Sequence, residues 1–528
     1  MNRILQKANK RISLGGAATL LVATMLIAQV LGFTRTMAVN GSFLPTGPQS
    51  TDAYFAAFKI PDFFFLTLAA GVLGVAFMPV LAERLAKSDR RSVWELSSSL
   101  MNLMAIIMAF IGVIILVFAE QLMHIVAPNL SPEQLHNATT IMRLVSFNPL
   151  LFTLSGVLTA VQQTFGRFFF FAIGPIVYNS CIIASIFLFR GNIGLIGLGI
   201  GALAGALLQF LVVLLGLVGL DFHYSPKINF KSHDFMQVLR QLPARSIDQG
   251  VDSINSIVET NRARVLGDGY VTYYENAFTL HTAPILLIGT TISTAAFPRL
   301  VERIAQNRPD LFRKDFQLIL QVLIWLALPA SILAWFCRGY LSRIIFKAGA
   351  PQISLIFGFL SIAIFFRIIY TLFSRYFYAH KDTVTPLLVS LFAIALNIVL
   401  AFRLARPDAY GATGLALAQS IVAASEVFIL LVVMLWRDSQ ILDREFWNNV
   451  TRSVSVSGFT ILTAFMMVTI LPLGASDKGF LTLGFKLAAI TVTTLAAHLL
   501  VSSAFRLEQA QAITSRIKKI ILKPIRIQ

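Results

Sequence analysis

The stretch FMPVLAERLAKSDRR, residues 77–91, ends one long apolar run, and FPRLVERIAQNRPD, residues 297–310, ends another. Superposing Pro79 on Pro298 aligns P-x-L-x-E-R-[LI]-A in both. Further along, GALAGA (201–206) and GLALAQ (414–419) open apolar runs at nearly the same offset. Two halves that repeat in the same orientation form a parallel repeat of the kind transporters use. Each copy also places arginines just beyond an apolar run, which fixes how the chain crosses a membrane.

The composition places the chain in a bilayer. Of 528 residues, 56% are hydrophobic and 13% charged, and the mean hydropathy is +0.75. Apolar runs of about 20 residues, the length that spans a bilayer, recur throughout. About 14 spans are expected, near 14–39, 52–82, 93–119, 138–162, 170–189, 193–220, 236–262, 270–298, 315–337, 353–379, 384–404, 411–436, 446–472 and 480–504. The expectation is an all-α polytopic membrane protein with two six-helix pseudo-repeats, 1–220 and 221–440. Two further spans follow in 441–505, then a basic tail, 506–528. The N-terminal MNRILQKANKRISLGG has a basic start, but the apolar run behind it is too long for a signal peptide, so it reads as an uncleaved first span.

The charge of +18 follows topology and not a nucleic-acid footprint. Arg84, Lys87, Arg90, Arg91, Arg299, Arg303, Arg308, Arg313 and Lys314 fall in loops on one side. NGSFLPTGPQS and EQLMHIVAPNLSPEQLHN, on the other side, hold no Lys or Arg. The positive-inside rule then puts both termini in the cytoplasm. The tail, with Arg516, Lys518, Lys519, Lys523 and Arg526 among Ile and Leu, suits the surface of an anionic leaflet. Cys181 and Cys337 lie in or beside apolar segments and read as small hydrophobes.

Charged residues inside spans are costly and point to pairing or to a hydrated path. Arg35 and Asp52 sit near the outer ends of adjacent spans and are placed to pair, or else to line a cationic path for an anionic substrate. Lys59 and Asp62 follow in the second span. On the seventh, Asp248, Asp252, Asn255, Glu259 and Arg262 fall close to one helical stripe, which a hydrated cavity explains better than simple pairing. The second half adds His281, Arg367, Asn397, Gln419 and Glu426, with His281 expected to be a satisfied structural residue. Asn148, Asn179 and Asn397 read as hydrogen bonders between helices. No phosphate loop, metal-spaced His or Cys cluster or nucleophile elbow is recognisable, so transport and not catalysis is expected.

SRYFYAHKDTVTPLL (374–388) resembles the SRxFYAxxDTxTP signature of the MurJ (MviN) family, within the multidrug/oligosaccharidyl-lipid/polysaccharide exporter superfamily. VLGFTRTMAV, TDAYFAAFKIPDFF, AFMPVLAE, GVLTAVQQTFGRFFFFAIGPIVYN and GATGLALAQS are similar to further family stretches in order, over about residues 25–430. The resemblance implies a flippase for lipid II, the undecaprenyl-pyrophosphate-linked peptidoglycan precursor, in the bacterial cytoplasmic membrane. It implies Arg35 and Asp52, which match family positions, as substrate-binding residues; Lys59, Arg262 and Arg367, as charges supplied from other helix positions, and Glu259 of the seventh-span stripe are expected to join them. It also implies a coupling monovalent cation, Na+ or H+, held by Asp252 and Asn397, with no other cofactor. Lipid II and membrane lipids are the partners, nucleic acid is not, and the chain is expected to act as a monomer.

Several family positions are neutral here. Ala28-Gln29 replaces Ser-Arg, Thr36 an acid, Phe65 and Leu66 an arginine pair, and Ala69-Ala70-Gly71 an Ala-Glu-Gly. Thr279 stands for an eighth-span arginine and Ala401 for an eleventh-span acid. These departures leave open a second substrate, another lipid-linked glycan, or a cation-coupled exporter. A non-transporting membrane scaffold is the alternative from another class.

Overall fold

The computed structural model describes residues 14–70, 77–86, 90–346, 348–475, 477 and 479–511, and it is helical with no strand among them. The basic residues of the tail from Arg516 to Arg526, the basic N-terminal segment and Lys87 lie outside the described residues. Contacts divide the chain into two compact units, Met1–Thr272 and Tyr273–Gln528.

The first unit contains α1 (Leu14–Ser42), α2 (Thr51–Phe65), α3 (Met78–Ala86), α4 (Arg90–Val126), α5 (Pro132–Val145), α6 (Asn148–Thr164), α7 (Phe169–Phe189), α8 (Ile196–Leu215) and α9 (His233–Leu266). α10 (Tyr270–Pro284) begins at its end. The second unit continues with α11 (Thr291–Ala305), α12 (Pro309–Phe336), α13 (Arg338–Ile345), α14 (Ala350–Ala379) and α15 (Val384–Leu404). It closes with α16 (Gly411–Arg437), α17 (Arg444–Ile470) and α18 (Phe480–Ala504).

Among the described residues, eleven helices are long and apolar enough to cross a membrane. The count of 14 is thus not confirmed by length and composition. The three expected spans outside the eleven are α1, the run from α2 to α3, and α9. Residues 71–76 interrupt the second of these outside the described part, and α9 carries Asp248, Asp252, Glu259, Arg262 and Arg264.

The halves share local devices at matched places. A π-helical stretch, Leu66–Ala70, follows α2, and another, Ile285–Thr290, follows α10. Their first residues have the same separation as Pro79 and Pro298. A π turn holds an extra residue per turn and marks a break in regular helix geometry. Arg84 and Arg303, equivalent in that superposition, both meet carboxylates: Arg84 Nε lies 2.7 Å from Asp234, and Arg303 Nε 3.0 Å from Asp315.

The turn after α6 and the turn after α14 each hold the end of a later helix. In the first, Gly166 takes φ +75°, and Arg167 donates to the carbonyls of Gly216 (3.0 Å), Val218 (2.7 Å) and Gly219 (3.2 Å), where α8 ends. In the second, Lys381 takes φ +61°. Asp382 beside it accepts from the Val384 and Thr385 amides, the Thr385 hydroxyl and Arg437, at the end of α16. The Arg437 guanidinium also sits 5.2 Å over the Phe377 ring. The signature stretch is therefore a clamp between two helix ends. Burial pushes the Asp382 carboxyl up, but the Thr385 donors and Arg437 outweigh it and hold it at about 2.

Close helix approach requires glycine at GALAGA. α7 packs on α8, and a Cβ on Gly201 would lie 2.2 Å from Ser185 Oγ. Cys181 belongs to this contact, its Cβ 3.2 Å from a Cβ built on Gly205. Cys337 is buried against α18. At the C-terminal side, Leu507 and Ala510 pack with Trp325 and Val456.

Two outcomes follow. Gly201→Val should lower thermal stability in detergent by about 1–3 kcal/mol, the usual cost of overpacking. Gly191→Ala, where a Cβ would meet nothing within 4 Å, should not. Asp382→Asn should destabilise the protein at neutral pH. A carboxyl with a depressed folded value stabilises above its ordinary range. The gap between wild type and variant should therefore close as pH falls from about 4 toward 2, read from thermal midpoints across that range.

Candidate functional site

α2 and α9 lie side by side in the first unit and run antiparallel: Lys59 Nζ donates to Ser256 Oγ at 2.8 Å, and Asp52 meets Arg264. Lys59 is seven residues along α2 from Asp52, about 10 Å along the helix axis. The seam is therefore polar from the helix end into the span.

At the end of this seam Asp52 is fully buried. Its carboxylate accepts from Arg264 Nη1 (3.2 Å), the Gly269 amide (2.8 Å), and the Thr272 amide (2.8 Å) and hydroxyl (2.7 Å). Ser50 caps α2 by accepting from the Asp52 amide. Arg264 extends the network. Its Nη1 reaches Asp268 (2.7 Å), and its Nη2 reaches the Asn129 carbonyl (3.0 Å) and Gln134 Oε1 (2.9 Å). Gln134 itself completes a capping box with Ser131 and donates to Asp268 and the Gly47 carbonyl. Four chain segments thus converge on two carboxylates. Burial alone would raise the Asp268 carboxyl, but donors from Gly47, Arg264 and Gln134 outweigh it and hold it below the usual range.

The pairing expected between Arg35 and Asp52 is not what forms. Asp52 takes Arg264 as its ion partner, because α9 brings a guanidinium to the end of α2. Arg35 is half-buried. Arg264 escaped the sequence reading. Its signal was an acid four residues on, Asp268, in the Gly-Asp-Gly turn after α9.

Of the other expected residues, Glu259 is buried and accepts from Asn255 Nδ2 at 3.2 Å, while Arg262 is half-buried. Asp252 is exposed on the same helix. In the second unit Arg367 pairs with Glu426 at 2.7 Å and reaches Gln419 at 3.3 Å. Asn397 is buried in α15. His281 is buried beside Phe278, and neither ring nitrogen has a hydrogen-bond partner among the described residues, contrary to a satisfied structural role. Asn179 donates back to Pro175 O on its own helix at 2.9 Å instead of across to a neighbour. Neither side-chain polar atom of buried Asn148 has a hydrogen-bond partner among the described residues. No group of three or more His, Cys, Asp and Glu that would hold a metal ion occurs among the described residues.

An all-helical polytopic fold with charged seams inside its helix packing defines a membrane transporter. A family profile described as "Lipid II flippase MurJ" matches residues 47–490, and the chain belongs to that family. It is 23% identical over 429 residues to the probable lipid II flippase MurJ of Borreliella burgdorferi, an alignment covering 80% of this chain and 83% of the relative. The fold is similar to a structure of lipid II flippase MurJ in an inward closed conformation, with TM-score 0.75, 21% identity, and 92% and 98% of the two chains covered. It is also similar to an inward-facing MATE family transporter of the MOP superfamily, with TM-score 0.67, 15% identity, and 80% and 98% covered. The family is one of flippases and not of catalysts, and its members are multi-pass proteins of the bacterial inner membrane.

The Asp52–Arg264 pair gives a direct test. Removing one partner of a buried ion pair strands the other, at a cost of about 3–5 kcal/mol. Arg264→Met should therefore lower stability strongly, and Asp52→Asn should cost much less in the Arg264→Met background than in wild type. Additive losses in a double-mutant cycle of thermal unfolding would contradict the coupling.

Proposed function

We propose that the chain moves a lipid-linked, pyrophosphate-bearing peptidoglycan precursor, lipid II, from the cytoplasmic to the outer leaflet by alternating access. The observation that carries this reading is the set of half-buried cations in the first unit, Arg35, Lys59 and Arg262, within a family of lipid II flippases. A pyrophosphate taken to membrane depth loses its hydration, and charge-assisted hydrogen bonds from Arg or Lys replace it. Arg367 serves the same role from the second unit, with Glu426 and Gln419 orienting its guanidinium. Asp52 is best read as structural in this scheme, since four donors occupy its carboxylate.

The reading retains a monovalent coupling cation, Na+ or H+, with Asp252 and Asn397 as side-chain ligands. Two side chains are fewer than the roughly six oxygens a hard cation takes, so carbonyls or water would complete a Na+ shell. One chain is the transporting unit, both termini are cytoplasmic, and no covalent chemistry is involved. Thr36, Phe65, Leu66 and Thr279, neutral where the family is charged, favour as a second reading a lipid-linked glycan with less anionic charge.

Cells depleted of their own lipid II flippase and supplied with this chain should again expose lipid II on the outer face. Arg35→Ala and Lys59→Ala should each reduce that exposure about tenfold or more, the loss of one charge-assisted hydrogen bond, at unchanged membrane levels. A wild-type chain that reaches the membrane and exports nothing would overturn the lipid II assignment. An Arg35→Ala variant as active as wild type would make Arg35 structural.

A further inference from the structure

Away from the α2–α9 seam, the first unit carries a cleft of about 580 Å³ whose chemistry the transport reading does not use. One wall is the first turns of α4, with Arg90, Arg91, Trp94 and Glu95. The other is the extended segment after α8, with Asp221 and Tyr224. Trp94 is held in place, stacked on Phe165 at 5.1 Å and met edge-on by Phe222 at 5.2 Å. The opposite wall is equally fixed. The Ser225 amide donates to Ser98 Oγ, Asn102 Nδ2 donates to the Ser225 carbonyl, and Tyr224 OH donates to Asn102 Oδ1 at 2.6 Å. His223 also lines the cleft and spends Nδ1 on the Asp221 carbonyl at 2.7 Å. The cleft is preformed.

Its depth follows from α4. Phe110, Val113, Leu116, Val117 and Phe118 are exposed, and the exposed Glu120 ends this apolar band. A hydrocarbon core takes about 20 residues of helix, which puts its other edge near Ser98. Arg90 to Glu95 then stand about 5–12 Å beyond, at the height of the lipid headgroups. This is the side of Arg84, Arg90 and Arg91.

Among the described residues the lining carries two guanidinium groups, Arg90 and Arg91, and two carboxylates, Glu95 and Asp221, with no net charge. A plain anion would meet the carboxylates, and a plain cation the arginines. A ligand with a phosphate and a protonated amine a few bonds apart satisfies both, and the exposed Tyr224 ring adds a face that attracts an ammonium. Arg91 already leans on Glu95 at 3.3 Å in an exposed contact, a weak pair that a phosphate can displace. We propose that this cleft binds the headgroup of a zwitterionic, amine-bearing phospholipid of the inner leaflet, phosphate toward Arg90 and Arg91 and ammonium toward Glu95 and Asp221. The amine must donate hydrogen bonds, so a fully methylated headgroup fits poorly.

The test is lipid retention by the full chain, measured by native mass spectrometry after incubation with phosphatidylethanolamine, phosphatidylcholine or phosphatidylglycerol of equal acyl composition. Phosphatidylethanolamine should be retained about tenfold better than either of the others, the worth of one charge-assisted hydrogen bond. The exposed substitutions Glu95→Gln and Arg90→Gln should each abolish that preference without changing the thermal midpoint of the lipid-free protein. Equal retention of the three lipids, a preference for phosphatidylglycerol, or a preference untouched by both substitutions would overturn the proposal. Soluble O-phosphoethanolamine, tested at the same concentration, should bind far more weakly than the lipid. Binding as strong as the lipid's would show a soluble ligand and overturn the lipid assignment.

Discussion

A carboxylate with no exposed surface has to be surrounded by donors, and Asp52 sets that requirement for the first unit. Meeting it takes the end of α9, the turn after it and the start of α10 at once, through Arg264, Gly269 and Thr272. Arg264 then needs acceptors of its own, which recruits Gln134, Asn129 and Asp268 and with them the loops before α2 and α5. One buried charge therefore fixes the register of α2 against α9. That register brings Ser256 opposite Lys59.

Much of the fold was legible because a bilayer leaves few options for backbone polar groups, and long apolar helices are the main one. Helix-forming segments stand at each expected span, and the matched π-helical stretches and Arg84/Arg303 contacts agree with the repeat read from P-x-L-x-E-R-[LI]-A. Span counting was less secure where a helix is polar, as in α9, or broken, as after α2. Polarity measured along the sequence reports what a helix faces as much as whether it crosses.

The site was legible in residue type and not in pairing. Arg35 and Asp52 are neighbours in sequence, so adjacency suggested a bond, yet the bond goes to Arg264, 212 residues away. A short loop makes two helices adjacent without saying which faces meet. Asn179 bonding to its own helix makes the same point: an amide in an apolar span is satisfied by whichever acceptor comes first. The ring nitrogens of His281, without a hydrogen-bond partner among the described residues, had no sequence signal, because burial without such a partner is a property of packing alone.

The two helix-end clamps differ in what inheritance can do to them. Arg167 binds backbone carbonyls, which every residue supplies, so the clamp itself selects no side chain at 218, while Gly216 is held by the close approach of Gln162 and Gly219 by its φ of +77°. Asp382 binds a side chain, Arg437, and neither can change alone without stranding the other. The two turns thus depend on the genetic text to different degrees. One is anchored to the invariant part of the polymer, and the other to a pair of codons that must descend together.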